Sequence, residues 1–414
     1  MKNITKIVAT IGPISANKDH IKKLYNAGMS VARLNGSHSN LEWHKNTIKL
    51  IRKTVPLIPI LLDIPGKKIR TSQLQIEPEF NINDQIILTT SIGYDGSEKV
   101  SINNPHLHKS LAKGDIILAD DGTLRFVVNK IMGKDIYCIA KTKGKLKSAK
   151  GINVPHVKIK SKLITTRDKV MMKFAVDNKV DFVGISFVES AKHIKAIRSL
   201  SNGSFPKIVA KVENQGGLDN LEEIAKETDV IMIDRGDLST ETNMENVALY
   251  QKKIIKVANN FAKPVIVATE MLNNMITNSY PTKAEVADIS NAILDGASAT
   301  MLSGETAIGN FSVESVFTMS KISQAVNKNF YEPSNKRTDE HNIPNAISTA
   351  ISNICSILPI TKIVAITVSG FAARMVSSAS LKQPILAVSN NKFSARSFNI
   401  LKNTKGIHIN IKFK

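Results

Sequence analysis

Two runs decide the fold: Ile208–Glu213 (IVAKVE) and Val230–Asp234 (VIMID), the second leading straight into Arg235-Gly236-Asp237-Leu238. Each is short, rich in Val and Ile, and ends on ionisable residues, as a buried strand does when its tip reaches a polar site. Lys211 lies two residues before Glu213, so both side chains leave the strand on one face. Working outward, six more such runs occur: Lys6–Ile11, Val31–Asn35, Pro59–Asp63, Asp181–Ser186, Pro264–Thr269 and Thr300–Ser303. Segments of helical period lie between them. Lys18–Asn26 puts Ile21, Leu24 and Tyr25 on one face, and Arg167–Lys179 spaces Val170, Met171, Phe174 and Ala175 three and four apart.

Eight strand–helix units with right-handed crossovers imply a closed (β/α)8, or TIM, barrel, although an open doubly wound sheet has the same periodicity. The polar residues separate the two. Thr10, Arg33, Asn35, Asp63, Ser186, Lys211, Glu213, Thr269, Ser303 and Glu305 crowd the C-terminal ends of the runs, with Asp237 just past one of them. In a parallel barrel all those ends open on a single face, where chemistry is done. Residues 71–152 interrupt the alternation with short strands and turns such as Asp95-Gly96, Asp121-Gly122 and Met132-Gly133, so a small β-barrel lid domain is expected there. The barrel then spans 1–70 and 153–330. Polar residues 331–342 make a linker, and 343–414 alternate helix and strand as a C-terminal α/β domain.

Composition narrows the class. The 414 residues are 42% hydrophobic and 22% charged, as in a soluble globular protein, and no apolar run approaches a membrane span. A formal charge of +21 draws in anionic ligands, but the lysines are spread over the whole chain and no nucleic-acid-binding signature accompanies them. Cys138 and Cys355 lie far apart and suit no metal or redox motif, which points to a reducing, cytoplasmic home.

Glu213 and Asp237, after the fifth and sixth strands, are candidate ligands for one hard divalent cation, Mg²⁺ or Mn²⁺. Lys211 beside them suits a phosphoryl group in transfer; the competing reading is an ion pair that merely closes the barrel. Arg33 can clamp a phosphate in bidentate fashion. Asn35, Ser37 and Asp63 offer oxygens for a second cation or its replacement. Gly236, at the start of a possible helix, would present free N–H groups to a carboxylate or phosphate. Ser186, Thr269 and Ser303 bring hydroxyls to the same mouth, as substrate contacts or helix caps.

Nearly end to end, the chain resembles pyruvate kinases. Thr5–Pro13 (TKIVATIGP), Ala27–His38 (AGMSVARLNGSH), Leu62–Arg70 (LDIPGKKIR), Lys150–Pro155 (KGINVP), Lys211–Asn214 (KVEN) and Arg235–Leu238 (RGDL) carry the likeness. Pro264–Leu272 (PVIVATEML), Pro281–Glu285 (PTKAE), Asn291–Gly296 (NAILDG) and Met301–Gly309 (MLSGETAIG) complete it. The resemblance implies phosphoryl transfer between phosphoenolpyruvate and ADP. Lys211 would stabilise the group in flight and Glu213 and Asp237 would hold Mg²⁺. Arg33 would bridge the transferred phosphate, Arg70 would line the lid hinge, and Thr269 would organise protonation of the enolate. His38 and Lys150 would contact the nucleotide, and the protein would be a homo-oligomer, dimer or tetramer.

Several departures stand out. Lys68 occupies a place where many members carry a glutamate that accompanies a K⁺ requirement, which implies the potassium-independent, lysine-bearing branch. Its ammonium would then replace K⁺ near Asn35, Ser37 and Asp63. Gly36 stands for a usual Phe, and Ser239 for a Gly. Asp234, Glu270 and Glu189 stand for a small residue, a Gln and an Arg. Three new carboxylates at the mouth would cost on the order of a few kcal/mol in repulsion if they face it, and nothing if they point outward. Thr367–Ala373 (TVSGFAA) resembles a sugar-phosphate-binding loop, but the chain stops at Lys414, where members normally continue. A shortened C-terminal domain and weak or absent sugar-bisphosphate activation are therefore expected. The alternatives are a paralogue acting on another enolizable acid and a non-catalytic nucleotide- or RNA-binding homologue.

Overall fold

The computed structural model describes residues 3–120, 122–155, 157, 163–201, 203, 205–329 and 343–410. The expected linker, 331–342, lies outside them. Eight parallel strands close a barrel: β1 (Lys6–Thr10), β2 (Val31–Asn35), β3 (Ile60–Ile64), β4 (Phe182–Ile185), β5 (Lys207–Val212), β6 (Val230–Asp234), β7 (Val265–Ala268) and β8 (Ala299–Leu302). Each lies within a residue or two of its expected bounds. Pairing of β1 with β8, Lys6 opposite Ala299, completes the ring.

The two-residue alternation of the strands divides their side chains between two cores. Ile208, Ala210 and Val212 of β5 pack outward with helix residues such as Ile194 and Ile224, whereas Val209 joins the barrel interior. On β6, Ile231 and Ile233 pack outward while Val230 and Met232 face in. The interior rows therefore read Val209–Lys211–Glu213 and Val230–Met232–Asp234, apolar below and charged at the mouth. Val31–Arg33–Asn35, Leu61–Asp63 and Val8–Thr10 follow the same rule.

The inserted domain starts two residues earlier and ends one later than expected. Its sheet begins with Ile69–Arg70 and ends with Gly151–Asn153, which pair antiparallel as a stem. Seven strands form the sheet, a two-stranded ribbon lies beside it, and the sheet's edges meet at a bridge between Thr71 and Ile102. Gly133 (φ 59°) turns the hairpin between Leu124–Met132 and Asp135–Ala140. Its own core surrounds Leu88, Leu107, Phe126 and Cys138.

The C-terminal domain is a three-stranded parallel sheet, Ile363–Ile366, Ile385–Ser389 and Thr404–His408, carrying helices Ile343–Ile357, Phe371–Ser378 and Lys392–Ser397. Its last strand begins at Thr404. It docks on the N-terminal end of the barrel. Lys6 Nζ donates to Thr404 O (2.7 Å), and Asn403 N to Ile4 O (2.8 Å). Asp181, fully buried, binds Arg396 Nε (2.7 Å) and Ile60 N (2.8 Å) and also pairs with Arg52.

Removing one partner of such a buried cluster strands the others without counter-charge. Asp181→Ala should cost about 3–5 kcal/mol. A guanidinium chloride unfolding curve, read at the midpoint, checks this; a loss within experimental error would mean the arginines rehydrate.

Candidate active site at the barrel mouth

The charged tips of the interior rows meet at the C-terminal mouth. Lys211 Nζ lies 2.7 Å from Glu213 Oε1, 3.1 Å from Asp234 Oδ2 and 3.3 Å from Ser186 Oγ. Ser186 in turn donates to Ile64 O (3.1 Å), which anchors the lysine's perch. Glu213 Oε2 accepts from the backbone N–H of Phe187, and Glu213 has no solvent exposure. Burial lowers the Lys211 pKa, but Glu213, Asp234, Asp63 and Asp237 outweigh it and hold the ammonium above its ordinary value. Burial, with Asp237 and Asp234 adding to it, pushes the Glu213 carboxyl up.

Arg33 is set beside this group by two contacts, Nε to Asp63 Oδ2 (2.7 Å) and Nη1 to Thr10 Oγ1 (2.9 Å). Thr10 then donates to Leu302 O (2.8 Å), so the guanidinium is braced from two strands. The other Asp63 oxygen, Oδ1, is buried without a hydrogen bond. A Cβ on Gly184 would sit 1.9 Å from it, so glycine makes the room that this carboxylate occupies.

After β6 the chain enters a short helix, Arg235–Glu241, as the Gly236 reading expects. Its N-terminus is fixed from β7. Thr269 (φ 71°) and Glu270 (φ 53°) adopt left-handed backbone, which breaks the strand alternation. Thr269 Oγ1 thereby accepts from Gly236 N (2.8 Å), and Thr269 O accepts from Arg235 Nη2 (2.8 Å).

Lys68 departs from expectation. Its Nζ binds Asp237 Oδ1 (2.6 Å) rather than Asn35, Ser37 or Asp63. Burial lowers its pKa, yet Asp237, Asp234 and Glu213 outweigh that and leave it raised. The ammonium is drawn to the densest carboxylates available, and those are on β5, β6 and the following helix. Asn35 Oδ1 accepts from Ser37 N (3.1 Å). Ser303 contributes a backbone N–H, to Glu305 Oε2 (2.7 Å). His38, Arg70 and Lys150 stand at the rim. Burial and the charges of Arg70 and Arg33 hold the His38 imidazole below its ordinary pKa. Arg70 Nη1 donates to Ala149 O (2.9 Å) and Lys150 pairs with Asp120 (2.6 Å), both within the lid stem.

Of the three new carboxylates, Glu270 and Glu189 are exposed, Glu189 accepting from Asn214 Nδ2 (2.7 Å). Asp234 is turned inward and buried. At Gly36 a Cβ would meet Asp63 O at 2.4 Å and Met171 Cε at 2.6 Å, so this backbone excludes the larger residue.

Two residues escaped the sequence reading. Asn153, on the lid's returning strand, donates to Glu241 Oε1 (2.7 Å) at the far end of the helix that bears Asp237. Burial, helped by Asp237, pushes the Glu241 carboxyl up to about 7. No motif announces this pair, because it joins positions far apart in sequence.

The cation question turns on the carboxylates. Oxygens of Glu213, Asp234 and Asp237 all lie within 4.8 Å of one another, and all three residues are buried. Glu213 Oε1 is buried and its partner is the Lys211 ammonium at 2.7 Å. Hard, converging oxygen donors fit a Mg²⁺-type ion.

A parallel barrel whose mouth joins such donors to a buried lysine and a braced arginine belongs to a cation-dependent phosphotransferase. Comparison with known proteins supplies the family. The chain matches the pyruvate kinase barrel domain over residues 2–316 and the pyruvate kinase alpha/beta domain over 345–413. It is 39% identical to a pyruvate kinase of Clostridium perfringens over 400 residues, 93% of this chain and 84% of that one. It is 37% identical to pyruvate kinase 2 of Synechocystis sp. over 409 residues, 96% of this chain and 69% of the other. A crystal structure of a pyruvate kinase from Cryptosporidium parvum matches with a TM-score of 0.92 and 31% identity, covering 99% of this chain and 88% of that one. The chain belongs to the pyruvate kinase family and is a phosphotransferase acting on phosphoenolpyruvate and ADP. Among the described residues, no helix is long and apolar enough to cross a membrane.

Glu241 gives a pH test. Its folded pKa of about 7 lies above the ordinary 4.5, so the folded state resists its ionisation. Stability is then greatest below pH 4.5, falls as pH rises, and levels off above about 7. Glu241→Gln keeps the acceptor for Asn153 and should flatten this slope, making the metal-free variant about 2 kcal/mol more stable at pH 8. Urea melts from pH 4.5 to 8 decide it, parallel curves for the two proteins counting against the assignment.

Proposed function

We propose that the mouth carries out Mg²⁺-dependent transfer of the phosphoryl group of phosphoenolpyruvate to ADP, and that it does so without K⁺. The observation that carries this reading is the contact of Lys211 with Glu213 at the tip of one interior row. Glu213 and Asp237 would hold the divalent cation, which would supply positive charge against the anionic substrate. Lys211 stabilises the charge on the phosphoryl group between donor and acceptor, and Arg33 clamps its oxygens, held in aim by Asp63 and Thr10. The N-terminus of the helix starting at Arg235, its Gly236 N–H held by Thr269 Oγ1, lies where the substrate carboxylate is received. Once the phosphoryl group has left, an enolate remains, and Thr269 orders the proton delivery that makes pyruvate. Ser186 and Ser303 complete the substrate's surroundings. His38, Arg70 and Lys150 receive ADP beneath the lid.

Support for potassium independence is the ammonium of Lys68, a fixed monovalent charge already bound inside the carboxylate cluster. Asn35, Ser37 and Asp63 border the same mouth. In this reading the enzyme works in the cytoplasm as a homo-oligomer.

A lactate-dehydrogenase-coupled assay with phosphoenolpyruvate, ADP and Mg²⁺ tests both parts. Lys211→Met should lower kcat about a hundredfold or more. Replacing Na⁺ by K⁺ should leave the parent's rate essentially unchanged; strong activation by K⁺ would sink the second claim and leave the first standing.

A further inference from the structure

We infer that Asp234 is a third carboxylate for the divalent cation, giving this mouth a metal site that loads before substrate arrives. The inference rests on the reading that Glu213 and Asp237 hold that cation, and adds a ligand to it.

An aspartate just before a helix ordinarily caps it. Asp234 occupies that position ahead of Arg235–Glu241, yet its side chain makes no capping hydrogen bond. It belongs instead to the interior row Val230–Met232–Asp234, whose alternation sends the carboxylate into the mouth. There Oδ2 meets Lys211 Nζ at 3.1 Å. Oδ1, the other oxygen, lies on the side of the helix start, where a Cβ on Gly236 would be 3.8 Å from it. So one oxygen is engaged by an ammonium and the other faces the helix start that carries Asp237.

Distances and charges agree. The three carboxylates converge within 4.8 Å, close to the roughly 4 Å between opposite oxygens in an octahedral Mg²⁺ shell. Glu213 Oε1 is buried among these groups, with Lys211 Nζ at 2.7 Å and no further hydrogen-bond donor among the described residues, which leaves it room for a cation. Lys211 and Lys68 are the ammoniums within this cluster, each paired to one or two of its carboxylates. With all three carboxylates ionised, as cation binding requires, three negative charges face two positive ones, and without Asp234 the count would be two against two. A divalent ion is thus attracted by the free protein, before the substrate adds its own oxygens. Ligand charge count is what tunes the affinity of oxygen-donor sites.

The test is direct binding of Mn²⁺ to the full chain without phosphoenolpyruvate or ADP, followed through the electron paramagnetic resonance signal of the free ion. Asp234→Asn keeps the shape and Asp234→Ala removes the group; each should weaken Mn²⁺ binding about tenfold or more. Mn²⁺ should also raise the melting temperature of the parent more than that of either variant. Asp237→Asn is the control. If it abolishes binding while both Asp234 variants bind like the parent, Asp234 only anchors Lys211 and the inference is overturned. If Asp237→Asn also binds like the parent, the assignment of the cation to Glu213 and Asp237 fails first, and this inference falls with it.

Discussion

The barrel depends on one constraint: side chains alternate along each strand, and the inward set must be apolar below and ionic above. Val209, Lys211 and Glu213 obey it on β5, and Val230, Met232 and Asp234 on β6. Burying such charges is tolerable only where each has a partner. Lys211 touches two carboxylates, Arg33 is held by Asp63, and Lys68 by Asp237. The same packing that excludes water from the mouth therefore strengthens the charge–charge contacts that hold its groups in place.

At the lower end of the barrel the constraint is answered differently. Lys6, first in the interior row of β1, is buried with a backbone carbonyl, Thr404 O, as its partner. Burial pulls its pKa down to about 8. The C-terminal domain supplies that carbonyl, and Arg396 from the same domain completes the Asp181 cluster. Barrel interior and C-terminal core form one continuous apolar cluster, from Val8 and Met301 to Ala387 and Phe398. Docking of this domain is thus part of how the barrel is closed below, leaving the opposite end for substrates.

Much of this was legible in the residues. The eight strands could be read because Val and Ile runs are strong signals, and their polar tips named Lys211, Glu213, Arg33 and Asp63. The direction of Asp234 is equally available, since it stands two and four residues after Met232 and Val230 and so shares their face of the strand. The start of the last strand has no such signal, because Thr404-Lys405-Gly406 carries no apolar run, yet it pairs with Ile385–Ala387. The partner of Lys68, Asp237, is not legible in the sequence, because the choice depends on the whole field of the mouth. Thr269 was found by type, but its left-handed backbone, which turns the hydroxyl toward Gly236, has no signature in a Thr-Glu pair.

The lid stem gathers what remained hidden. Lys68 immediately precedes its first strand, Arg70 lies in that strand, and Lys150 and Asn153 flank and end the returning one. Because the two strands are hydrogen-bonded to each other, these side chains share one support. Two of them are already tied to the helix that bears Asp237, Lys68 through Asp237 itself and Asn153 through Glu241. Any movement of the stem is thereby transmitted to both ends of that helix. The stem thus bears on that helix at two points, Asp237 and Glu241, and through them on the carboxylates of the mouth.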